Sequence, residues 1–116
     1  MGIVYAKAVV TGPKGSRTVK FLVDSGASYS LLPLSVWKRI GIKPKKKMEF
    51  TLADGTEIVR SVAECFIQVF DEEAHTPVVL GEEGDEALLG VITLENLGLI
   101  LNPFKRQLQP IRLMLA

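Results

Sequence analysis

A chain of 116 residues, 47% hydrophobic and 23% charged, has the size of one domain and the composition of one that buries a core. That excludes a disordered tail, a fibre, and an enzyme in which one chain encloses a cleft between two lobes. The net charge is +1, yet residues 1–50 carry ten Lys/Arg against two acids, and residues 51–116 carry four against eleven.

Short extended segments dominate. Ile3 to Val10 and Arg17 to Val23 read as strands around a Gly/Pro turn cluster, Thr11 to Ser16, and so as a hairpin. Asp24 to Ser30 is a loop of small and polar residues. Pro33 to Ile40 reads as a short helix, with proline tolerated in its first turn and Gly41 at its stop. Lys47 to Ala53 and Thr56 to Phe70 flank Asp54-Gly55, a strong hairpin signal. The second arm is long enough to bend or to serve two sheets. Thr76 to Leu80 is a strand bracketed by the acidic stretches Asp71–Glu73 and Glu82–Glu86. Ala87 to Leu89 is a short buried strand. Thr93 to Leu97 is a second helix, stopped by Gly98. Leu99 to Leu101 and Leu108 to Leu115 supply the last strands, on either side of a turn at Asn102-Pro103. Residues 1–116 therefore read as one all-β domain with two short helices, in a closed or sandwich-like sheet. An order of features also repeats: an apolar strand, a Gly-containing loop and a helix stopped by glycine occur at 21–41 and again at 87–98.

The other polar signals are bland. Lys43-Pro-Lys-Lys-Lys47 is one cluster in a nearly neutral chain, so it reads as a solvated loop, and no nucleic-acid partner is expected. The only cysteine, Cys65, rules out an internal disulfide and lies in an apolar run as a small buried hydrophobe. With His75 as the only histidine, a zinc site is not expected. Lys7 stands where the apolar core of a signal peptide would lie, and no apolar stretch reaches membrane-spanning length. A cytoplasmic protein without a membrane segment is the expectation.

The chemistry concentrates at Asp24-Ser25-Gly26-Ala27, which follows Phe21-Leu22-Val23. A carboxylate at the end of a buried strand is costly unless it is used or paired. The bland alternative is a turn aspartate that caps its own loop. The context favours use: an apolar strand before, Ser30-Leu31-Leu32 after, Leu88-Leu89-Gly90 further on.

These residues together resemble the retropepsin-like aspartic proteases, the single-domain relatives of pepsin that include the retroviral proteases. The resemblance runs over roughly residues 3–102. It implies a twofold homodimer with Asp24 as the one catalytic acid per chain, hydrolysing polypeptides by a water held between the two carboxylates. It needs no metal or other cofactor. It implies an active-site loop of Ser25, Gly26 and Ala27, substrate pockets at Ser28, Leu31 and Leu88 that favour apolar side chains, and a flap at Ala53, Asp54, Gly55 and Thr56. Ser25 would reach across the dimer axis. Ala27 lacks the hydroxyl that pepsin-like enzymes usually place there, which implies an optimum less acidic than pepsin's. Ser28 and Val91 stand where retroviral members often carry an ion pair, and the chain continues past Asn102. The first feature departs from the retroviral interface, and the second places the chain nearer the cellular and microbial members. A dimeric interaction module of the same fold without activity is the competing expectation.

Overall fold

In a computed structural model of the chain, residues 3–111 are described. Strands β1 (Tyr5–Gly12) and β2 (Gly15–Val23) form an antiparallel hairpin in the register Gly12↔Gly15. The turn is only Pro13-Lys14, shorter than the expected cluster, because the flanking residues continue the ladder and satisfy their backbone groups. Its tip rests on the end of helix α1 (Leu34–Arg39), where Lys14 N donates to Ile40 O at 2.9 Å. Gly12 is required there, since a Cβ would lie 2.5 Å from Ile40 O.

Strand β3 (Ser30–Leu32) was not expected. At three residues it carries no periodicity, and its pairings are all with distant segments. It runs parallel to β6 (Glu72–Leu80) and antiparallel to β7 (Leu88–Leu89). Strand β4 (Lys46–Thr51) and the 13-residue β5 (Glu57–Val69) form the expected second hairpin. Strand β5 is long enough to serve three partners within one sheet. It pairs with β4 through 57–62, with β6 through 62–69 and with β1 through 66–68.

Those pairings close a barrel. The order β1-β2-β7-β3-β6-β5 returns to β1, and β4 stands outside the ring as the free arm of its hairpin. Closure leaves the ring without edges, and alternate side chains fill its interior. Ala8 and Val10, then Val19, Phe21 and Val23, then Ala63, Cys65, Ile67 and Val69 are buried at every second position. Each large apolar side chain so buried contributes roughly 1.5–3 kcal/mol, so this alternation sets which face of every strand points inward.

Strand β6 starts four residues earlier than expected, taking in Glu72 and Glu73. Cross-strand pairing with β5 outweighs their low strand propensity. Helix α2 (Val91–Leu97) ends as expected at Gly98, left-handed at φ 72°. Strands β8 (Leu99–Asn102) and β9 (Gln107–Pro110) make a separate two-stranded sheet. The expected last strand is thus seen from Gln107 to Pro110, and its part from 112 to 115 lies outside the described residues. The repeated features meet in space: β2 and β7 run parallel in the register Leu22↔Leu88 and Val23↔Leu89. Among the described residues, no helix is long and apolar enough to cross a membrane.

Cys65 is buried at 4% exposure. Its thiol is pushed up to about 12, first by burial and then by the neighbouring Glu64 carboxylate. Its contribution to stability is therefore intact below the ordinary thiol range and lost as pH rises towards 12. Alkylation at pH 8 is expected to run at least about a hundredfold slower in the native protein than in denaturant. Equal rates would place the thiol at the surface.

Candidate active site

Asp24 follows β2 directly. Its N–H donates to Leu89 O of β7 at 2.9 Å, which extends the ladder by one bond and sets the carboxyl at the barrel's rim. Asp24 Oδ1 accepts the N–H of Gly26 at 2.9 Å, and Asp24 O accepts that of Ala27 at 3.2 Å. The loop is an Asx turn folded back on its own aspartate. Gly26 is packed closely enough that a Cβ would sit 3.2 Å from Asp24 Oδ1. Asp24 is half-buried, whereas Ser25, Gly26 and Ser28 are exposed.

The next stretch of loop is held from behind by the start of α2. Val91 N donates to Ala27 O at 2.8 Å and Ile92 N to Ser28 O at 3.0 Å. Gly90 N donates to Ser30 Oγ at 3.0 Å. Three consecutive amides thus anchor the segment that leads away from Asp24. The Leu-Leu-Gly stretch belongs to the site as this anchor.

Beneath the loop lies a chain of buried hydroxyls that the sequence reading did not assemble. Ser30 Oγ hydrogen-bonds Thr93 Oγ1, which bonds Thr76 Oγ1 at 2.8 Å. The three residues are 0–1% exposed. They come from β3, α2 and β6 and lock the loop's exit to the helix behind it. The available signal was a single hydroxyl residue inside each of three apolar runs, Ser30-Leu-Leu, Thr76-Pro-Val-Val and Val-Ile-Thr93-Leu. Thr93→Val keeps the shape and removes the central hydroxyl. It is expected to cost about 1–3 kcal/mol, since Ser30 and Thr76 then lose a buried partner. Urea unfolding measures it, and an unchanged midpoint would deny the cluster any role in stability.

Leu31 and Leu88 are brought together as a cross-strand pair of half-buried side chains beside β2. The residues expected to form a flap, 53–56, sit at the tip of the β4–β5 hairpin, where Gly55 N donates to Leu52 O at 2.9 Å with Gly55 at φ 88°. Asp54 accepts the Thr56 N–H at 2.9 Å, and that bond, then one from the Thr56 side chain, holds its carboxyl below the usual range. The described contacts between hairpin and the Asp24 loop are made by the arm. The Tyr29 ring meets Phe50 edge-on at 5.4 Å and 72°, and its hydroxyl donates to Met48 Sδ at 3.9 Å. Trp37 packs against the core, and its Nε1 donates to Gly81 O at 2.9 Å.

A closed barrel, an Asp-Ser-Gly turn at a strand end and a projecting hairpin make up the architecture expected of the retropepsin-like family. Residues 10–96 match the family model described as "gag-polyprotein putative aspartyl protease", and the chain belongs to that family. No curated protein matches the chain.

Proposed function

We propose that this chain is an endopeptidase whose working unit is a twofold homodimer, with a water activated between the Asp24 carboxylates of two copies. One observation carries the reading. The strand end beside that of Asp24, Leu88-Leu89-Gly90, runs parallel to it and offers no acid. One chain thus supplies half of a dyad, and a second copy is the source of the other half.

The chemistry follows from two carboxylates placed too close for both to ionise, so that they share one proton. The ionised one takes a proton from the water as its oxygen attacks the peptide carbonyl. The other donates to the carbonyl oxygen. Gly26 permits close approach of the two loops, and Ser25 reaches across the axis. Leu31 and Leu88 receive apolar side chains next to the scissile bond. The hairpin tip at 53–56 closes over the peptide and excludes water. With Ala27 in the loop, the pH–rate maximum falls at a less acidic pH than pepsin's.

The reading is tested by dilution. Specific activity on an internally quenched peptide is expected to fall as the chain is diluted through its dimer dissociation constant, tracking the loss of dimer in sedimentation. Activity that stays constant while the dimer dissociates would overturn it. Dimers that cleave nothing at any pH would favour the inactive module.

A further inference from the structure

We propose that Lys45 and Lys46, at the base of the β4–β5 hairpin, form with Tyr29 an outer substrate subsite that takes an acidic side chain of the bound peptide. The proposal rests on the proteolytic reading and adds to it a charge preference away from the scissile bond.

A cavity of about 440 Å³ opens between the hairpin base and the segment after the catalytic loop, lined by Tyr29, Lys45, Lys46, Val62, Glu64 and Pro77. That volume lies within the range of small-ligand sites and accommodates a Glu or Asp side chain. Its walls are fixed. Lys45 N donates to Val62 O at 2.9 Å. Lys46 pairs with Val62, and Glu64 with Pro77, across their ladders. Tyr29 is held against Phe50 and Met48. Positions 46, 48 and 50 alternate onto one face of β4, so Lys46 shares the face that meets Tyr29.

The charge in the cavity is unbalanced. Its lining carries two lysines against one acidic residue, Glu64, which is exposed. Among the described residues neither lysine takes part in an ion pair, since both bridges involve Arg60. The remaining positive charge suits a carboxylate.

The pocket is also within reach of a peptide at the dyad. Tyr29 is five residues after Asp24, and five residues span at most about 18 Å. The Asx turn shortens that distance. An extended peptide advances about 3.3 Å per residue, so the pocket meets a side chain no more than about five residues from the scissile bond. The lysine run, a solvated loop by sequence alone, thereby acquires a binding role.

The test uses pairs of internally quenched peptides with an apolar pair at the centre. Members of a pair differ only in Glu or Gln at one position, three to five residues from the centre on either side. At low salt the wild type is expected to favour the Glu peptide at one of these positions by about three- to tenfold in kcat/KM. The ratio should shrink towards one in 0.5 M salt. It should fall to about one in the Lys45→Met/Lys46→Met double variant and rise in Glu64→Gln. A wild-type ratio of one at every position, or a ratio that survives in the double variant, overturns the subsite. Should no peptide be cut, the proteolytic reading fails by itself. Anisotropy of the same peptides, fluorescently labelled, on the Asp24→Asn protein then decides the subsite: tighter Glu binding that the lysine substitutions abolish supports it, and equal binding overturns it.

Discussion

Replacing Asp24 by Asn is expected to abolish peptide cleavage and leave the fold in place. Asparagine has the same shape and keeps an oxygen to accept the Gly26 N–H, a bond of 2.9 Å in the native loop. It cannot hold or pass the proton that the dyad shares. A loss of at least about a thousandfold in kcat/KM is expected, within the range for a displaced general acid–base group. The midpoint of thermal unfolding should move by no more than a few degrees. The same variant reads the stoichiometry. Mixed in equal amounts with wild type and allowed to exchange subunits, it should leave about a quarter of the dimers, and so of the activity, with two native acids. A retained half would mean that each chain carries its own complete site. Activity that survives in the pure variant would remove Asp24 from the chemistry.

Gly90→Ala is expected to be the most damaging single methyl group in the chain. Gly90 has φ −99° and ψ 175°, which any residue adopts, so the objection is space alone. A Cβ there would lie 2.5 Å from Tyr29 O and 2.9 Å from Ala27 O, both backbone atoms. Those carbonyls cannot rotate aside as a side chain would, because the Ala27 oxygen is bound by Val91 N at 2.8 Å. Either the helix or the loop must move. Overpacking of this kind costs about 3 kcal/mol, which lowers the unfolding midpoint by roughly 10 °C for a domain of this size. A shift of about 1 Å in the loop is enough to cost a further hundredfold in activity. Gly84→Ala is the control: it has φ 87° and open space around it, so only backbone strain of about 1 kcal/mol applies. Equal midpoints for the two variants would refute the packing argument.

Much of the molecule was legible because its signals are local. Asp54-Gly55 between β-prone runs marks a hairpin, and the hairpin is there. Pro33 and Gly41 bracket α1, and Gly98 stops α2. Asp24 was picked out by the cost of a carboxylate after Phe21-Leu22-Val23, and the family match covers that stretch. The parts that stayed hidden are those whose causes lie far along the chain. Strand β3 exists only because Leu31 lies between Leu88 and Val79. Strand β6 begins among glutamates because Val69 pairs with Glu72.

The hydroxyl chain of Ser30, Thr93 and Thr76 draws one residue from each of three elements, so no window of sequence contains it. Lysines 45 and 46 show the same limit. By sequence they form a charged run, and only the pairing of β4 with β5, of β5 with β6 and of β6 with β3 sets them in a cavity with Tyr29. By itself, the sequence determined the residue types, the turns and the single Asp-Ser-Gly at Asp24, because these follow from near neighbours and composition. The tertiary structure alone decided which hydroxyls and amides hold the loop of Asp24, and which cations line the cavity beside Tyr29. Hydrogen bonds and charges act over a few ångströms in space, whatever separates them along the chain.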